Sequence, residues 1–209
     1  TKQAIGSIYF SSVNEIILLN CNISETSGLT RGVVYIEGFG TFYNMYNSFQ
    51  KNKYSGVMQI KQGARYFDHR NRYLENLVLL EGACVSLTGV KFSHIIGSSI
   101  RFSISESDGA ALWTDEVNSI VLDNVTCEDN SAKGMGGSIF VSKAESFAIN
   151  HCAFFKNRAS MNGGGIMLKK VIVTNIISSV FRNQVSNQSG GAVYLTGTDS
   201  KCQIYVYNS

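Results

Sequence analysis

The sequence predicts an all-β fold, a right-handed parallel β-helix of about seven coils that occupies residues 1–209 as one segment. Three observations predict it. Glycine-led apolar motifs recur at a fixed interval. The apolar residues inside them alternate with period 2 rather than 3.6. The composition joins 44% hydrophobic residues to only 16% charged ones, with 20 Gly and no Pro, so a core is covered by Asn, Ser and Gly rather than by the roughly 25% of charged residues usual in soluble proteins.

The repeat is clearest in the last third. Gly136-Gly137-Ser138-Ile139, Gly163-Gly164-Gly165-Ile166 and Gly190-Gly191-Ala192-Val193 follow one another at an even spacing. Weaker copies begin near Gly6, Gly32, Gly56 and Ser98. With anchors at 6, 32, 56, 98, 137, 164 and 191, the gaps are 26, 24, 42, 39, 27 and 27. The two long gaps predict loop insertions near 61–81 and 103–118. A period of this size means a stacked repeat. No leucine-rich frame is present, so the parallel β-helix is the reading that remains.

Each element has a local reason. The anchor strands place Ile8 and Phe10, Val34 and Ile36, Met58 and Ile60, Ile100 and Phe102, Ile139 and Val141, Ile166 and Leu168, and Val193 and Leu195 on one face. These pairs point inward and stack as columns. Further short strands follow at Glu15–Leu19, Val85–Leu87, Ser119–Leu122, Ser146–Ile149 and Val171–Thr174. Paired glycines serve the corners, because Gly takes positive φ without a steric penalty. Asn20, Asn124, Asn150 and Asn175 close the middle strands, and an amide ladder is expected there. The insertion at 61–81 is expected to be a loop, a flap or a short helix over Asp68–Leu80.

At this point a resemblance becomes visible. Phe154-Phe155-Lys156-Asn157 leads into Gly163-Gly164-Gly165-Ile166, and Val180-Phe181-Arg182-Asn183 into Gly190-Gly191-Ala192-Val193. Cys127-Glu128-Asp129-Asn130 and Phe49-Gln50-Lys51-Asn52 lead into Gly136 and Gly56 in the same way. This F-x-x-N/G-G pattern resembles the repeats of the polymorphic outer-membrane protein family, among the pectin-lyase-like right-handed β-helices. The clear match covers about residues 120–197. The resemblance implies an extracellular or cell-surface protein that acts by binding or scaffolding.

The residues themselves offer little chemistry. A net charge of +3 without a basic run lacks the footprint of a nucleic-acid binder. No apolar stretch reaches the roughly 18–20 residues of a membrane helix. A β-helix that cleaves polysaccharides needs clustered carboxylates. Glu106, Asp108, Asp115 and Glu116 share one predicted loop and read as a solvated acidic segment rather than a calcium site. His151 and Cys152 are adjacent, so on a strand they face opposite ways and form no nucleophile–base pair. No catalytic residue, metal ligand or cofactor is expected, and the chain is not expected to be an enzyme. Cys127 and Cys152 read as buried free thiols rather than a bridge.

What remains points to contacts. Asn187, Asn22 and Asn124 head N-x-S/T sequons and are the candidates for N-glycans. The outward positions Tyr9, Tyr35, Gln59, Arg101, Phe140, Met167 and Tyr194 predict an interface ridge. Arg65, Tyr66, Arg70 and Arg72 are binding candidates on the first insertion. Since the chain starts at Thr1 and stops inside a repeat, it is expected to be a fragment of a longer protein. Partners are expected to be other protein chains or further segments of the same chain. The expected role is a rigid module for a filament, coat or adhesive surface outside the cell. A carbohydrate-binding or polysaccharide-cleaving β-helix and an autotransporter-like passenger are the alternatives.

Overall fold

The computed structural model describes residues 8–27, 32–54, 56–79, 83–197 and 202–209. Among them there is no helix, and the named strand pairs are parallel. Three faces wind into a β-solenoid of about seven turns. Face A is an 11-stranded sheet, face B has seven strands and face C six. We number the rungs 1 to 8 by their first face A strands: Ile8–Leu19, Val34–Met45, Met58–His69, Val85–Thr88, Leu112–Asp115, Ile139–Asn150, Ile166–Ile177 and Val193–Thr196. Face A is completed in rungs 4, 5 and 8 by Phe92–Ile96, Ser119–Asp123 and Gln203–Tyr207.

The register corrects the predicted insertions. Met58 pairs with Val85, Val85 with Leu112 and Leu112 with Ile139, one full period apart each time. The described parts of 61–81 and 103–118 are therefore ordinary rung, not loops. Strands Met58–His69, Arg72–Leu74 and Leu77–Val78 also replace the helix considered over Asp68–Leu80. Rungs 4 and 5 lack the repeat signature because Ala83 and Ala110 stand where the other rungs carry the second glycine, and Thr114 interrupts the apolar alternation. Ser99–Arg101 is a face B strand paired with Arg72–Leu74, not an anchor. The anchor Gly6 lies outside the described residues.

Length variation is confined to few places. From the first residue of face C to the next face A strand the chain takes five residues in rung 2 (Lys53 to Met58) and eight in rung 3 (Leu77 to Val85). Rung 8 carries three extra residues, since Lys169 pairs 27 positions on with Thr196 and Val173 pairs 30 on with Gln203. Corners absorb length because a change inside a strand would flip every following side chain to the other face.

The interior is filled by stacked columns. Ile36, Ile60, Leu87 and Val141 form one, and Phe42, Tyr66, Ile120 and Phe147 another; all are fully buried. On face B, Phe49 stacks on Tyr73 at 5.1 Å and Phe154 on Phe181 at 4.8 Å between ring centroids, near the ~4.8 Å strand spacing. Cys84 and Cys127 are buried in this core, which pushes their thiols up to about 12, and burial raises Cys152 to about 11. All five cysteines are free. Cys127 pairs with Phe154, so Cys152 sits in a different column.

Each rung turns at residues in the left-handed region. Ser12, Gly38, Gln62, Gly89, Glu116, Lys143, Lys170 and Gly197 bend face A. Asn20, Tyr46, Arg70, Gly97, Asn124, His151 and Ser178 turn A into B, and Glu25, Lys51, Glu75, Phe102, Asp129, Lys156 and Asn183 turn B into C. At these corners the backbone leaves the sheet and its polar groups need other partners. Amide side chains supply them. Asn157 Oδ1 accepts from the Asn130 N–H (3.1 Å), and its Nδ2 donates to the Cys127 carbonyl (3.0 Å). The same series runs Thr26, Asn52, Asn76, Ser103, Asn130, Asn157, Gln184. A second series includes Cys21, Asn47 and Asn71, with Asn47 Oδ1 accepting from Cys21 N–H at 2.6 Å. The ladders thus differ from the one expected. Asn20 and Asn124 are left-handed corner residues, while Asn150 and Asn175 lie within face A strands in different register.

Candidate functional site: a basic aromatic strip on face A

The second half of face A alternates strictly. In rung 3, Tyr66 and Asp68 point inward and are fully buried, while Arg65, Phe67 and His69 point out. Rungs 2 and 4 follow, with Tyr43 and Met45, then Phe92, His94 and Ile96, on the outside. Register brings these together. Tyr43 pairs with Phe67 and Phe67 with His94; Met45 pairs with His69 and His69 with Ile96. Tyr43 and Phe67 stack at 5.2 Å with an interplanar angle of 11°. Phe67 meets Phe92 at 5.9 Å, and Tyr46 packs edge-on against His69 at 5.3 Å.

Cations line both margins. Arg65 and Lys91 are exposed on one side and Arg70 on the other, at the corner toward face B. The Arg70 stem runs over Gly97, where an added Cβ would meet Arg70 Cγ at 3.2 Å. None of the three forms a salt bridge among the described residues. Lower on the same face the charges are paired. His94 Nε2 lies 2.5 Å from Asp123 Oδ2, and Asn150 Nδ2 donates to Asp123 Oδ1 at 2.7 Å. Lys143 lies 2.9 Å from Glu116.

Beneath the strip lies a buried polar cluster. Asp68 Oδ2 accepts from Asn44 Nδ2 (2.9 Å), Tyr66 Oη (2.7 Å) and Tyr73 Oη (2.6 Å), and Ser98 Oγ donates to Asp68 Oδ1. Burial first, and then the adjacent Asp68 charge, raises both tyrosines well above 10. With every donor committed, the cluster locks rungs 2, 3 and 4 in register.

The binding candidates read from the sequence therefore divide. Arg65 and Arg70 edge the strip, Arg72 is exposed on face B, and Tyr66 is inside with Asp68. None is on an insertion. The predicted ridge is corrected too. Its column runs Tyr9, Tyr35, Gln59, Ser86, Trp113, Phe140, Met167, Tyr194. Arg101 is not in it; it lies on face B with its Nε 3.4 Å from Glu128. Tyr35 and Phe140 are 5% exposed and Met167 1%, whereas Tyr9 is 42% exposed. Corner backbone roofs part of the column: a Cβ on Gly109 would come 3.0 Å from Phe140 Cβ.

The sequons Asn22, Asn124 and Asn187 are all exposed. The four carboxylates of 103–118 are dispersed. Asp108 Oδ1 accepts from Met135 N–H at 2.6 Å, Glu106 pairs with Lys133 at 2.5 Å, and Asp115 and Glu116 face Lys143. Among the described residues, no three His, Cys, Asp or Glu side chains converge as a metal site. Sequence reasoning missed the strip, although Tyr43-x-Met45, Phe67-x-His69 and Phe92-x-His94-x-Ile96 carry its period-2 signal at offsets of 24 and 27.

Comparison with known protein families, curated proteins and solved structures finds no match to this chain.

Proposed function

We propose that this chain is a non-catalytic structural module of the cell surface or extracellular space, a rigid β-solenoid rod that builds a filament or coat or presents an adhesive surface. The observation that carries this reading is the uninterrupted rung-to-rung register from Ile8 to Val193. Among the inward positions, Phe10, in register with Ile36, is exposed at one end, and Ile204 and Val206, in register with Thr174 and Ile176, at the other. These end rungs offer the same apolar columns and strand edges that each interior rung offers its neighbour. Further rungs, from this chain or another, fit there by the same pairing. The F-x-x-N/G-G resemblance to polymorphic outer-membrane proteins and the exposed sequons support the surface location.

The test is sedimentation velocity with negative-stain imaging over a concentration series. One stack of eight rungs spans roughly 38 Å at ~4.8 Å per rung. Wild type is expected to form longer rods as concentration rises, and the double variant Ile204→Lys/Val206→Lys to remain single. Wild type that stays single at every concentration would count against end-to-end assembly. Intact mass from the native source, before and after N-glycan removal, checks the surface assignment at Asn187, Asn22 and Asn124.

A further inference from the structure

We infer that the face A strip is a docking surface for an acidic amphipathic helix of another protein, lying along the solenoid axis. Three observations on the strip select this partner. The centre runs along the axis, because Tyr43, Phe67 and His94 form one column and Met45, His69 and Ile96 the next; it is aromatic and aliphatic apart from its two histidines, of which His94 is held by Asp123 at the lower end of the strip. Cations without acidic partners flank it on both sides, Arg65 and Lys91 at one margin and Arg70 at the other. The spacing fits: Arg65 to His69 is four residues of strand, roughly 13 Å of extended chain, and Arg70 stands at the corner just beyond, so the two arginines straddle a helix about 10–12 Å across.

Ring geometry argues against a stacked base or sugar. Tyr43 and Phe67 lie face to face at 5.2 Å, so they spend their faces on each other and turn edges outward. Edges pack against aliphatic side chains. Tyr, Phe, Met and Arg are also the residues favoured in protein interfaces. The complementary helix carries an apolar stripe with carboxylates on both flanks, and the contact covers rungs 2 to 4. A second copy of this chain is a poor occupant, since its own Arg65, Arg70 and Lys91 would meet like charge and no described segment is helical.

The probe is a synthetic 18-residue amidated peptide with a leucine stripe flanked on both sides by glutamate. A control keeps the stripe and carries lysine on the flanks. Binding to the whole 209-residue chain is read by fluorescence anisotropy, and the site by amide chemical-shift mapping. The glutamate peptide is expected to bind saturably with shifts confined to rungs 2 to 4, and the lysine peptide at least tenfold more weakly. Arg65→Glu/Arg70→Glu is expected to weaken the glutamate peptide at least tenfold, as is 0.5 M salt. Both side chains are exposed, and far-UV circular dichroism confirms the fold of the variant; Lys91→Glu gives an independent third charge. Equal binding of both peptides, shifts elsewhere on the rod, or no binding at all would overturn the assignment. So would selective binding to vesicles of mixed phosphatidylcholine and phosphatidylserine in place of the peptide, which would make the strip a membrane contact.

Discussion

Asn157 shows how a single side chain holds a corner. It satisfies the Asn130 N–H and the Cys127 carbonyl in the rung above, and it is fully buried. Asn157→Ala leaves the buried Asn130 N–H without an acceptor, at about 1–3 kcal/mol, and removes one donor from the Cys127 carbonyl, at about 1 kcal/mol. We expect a loss of about 2–4 kcal/mol in urea unfolding. Asn124→Ala, at an exposed left-handed corner, should cost only about 1–2 kcal/mol. Equal losses would mean that corner conformation, not the ladder, holds the turn. Tyr66 and Tyr73 give a pH signature. Burial and Asp68 raise both above their ordinary 10.0. Below pH 10 they are protonated in both folded and unfolded chains, and their contribution is fully present. Above it the unfolded chain binds fewer protons than the folded one, so stability falls as pH rises. Their phenolate absorbance should appear only together with loss of far-UV dichroism, checked against Tyr73→Phe.

Elements are closed by two glycines for two different reasons. Gly163 has φ +69°, a conformation that L side chains avoid. Gly164 has an ordinary φ but no room: an added Cβ would overlap the carbonyls of Gly191 and Val185. One rung on, Gly191 has only the Gln184 carbonyl at 3.7 Å. Gly164→Ala should therefore cost well over the ~1 kcal/mol of a routine exchange, and Gly191→Ala close to nothing, in paired thermal melts. Comparable shifts would show that the corner relaxes freely. Inside face A, Gly63 makes room for Phe39, whose ring an added Cβ would overlap. Here two neighbouring rungs share volume between them, the glycine of one giving its space to the ring of the other.

The whole molecule behaves as a stack in which each rung meets only its neighbours. From rung 3 to rung 8 the first face A strands begin at Met58, Val85, Leu112, Ile139, Ile166 and Val193, an even advance. Deleting 112–138 removes one full period and rejoins matching register, so the shortened chain should fold with a far-UV spectrum like the parent. Deleting 112–124 removes part of a rung and brings face A against face B, and it should not fold. A folded half-rung deletion would disprove strict register. The even spacing of the last three rungs was legible because Ile139, Ile166 and Val193 follow glycine pairs unbroken. Rungs 4 and 5 were not, because Ala83 and Ala110 replace the second glycine and Thr114 sits buried in an apolar column. For that same reason the sequence marks Arg65 and Arg70 as binding candidates but reads them as loop residues.

Sequence alone determined the solenoid. A steady period with alternating apolar residues permits few other ways to bury both halves of every strand, and composition leaves no competing core. It also marked Asn52, Asn130 and Asn157, as parts of the repeat motif; that they form the amide ladder came from the structure. Tertiary structure decided which outward positions are free. Inward columns are defined within one strand, by alternation. Outward surfaces are defined between rungs, by register, by corner backbone that covers Phe140 and Met167, and by whether a cation finds a carboxylate on the adjacent rung. Lys143 finds Glu116, whereas Arg65 and Arg70 find none among the described residues. That pairing depends on which residue stands in the next rung, and it is fixed only once every rung is in place.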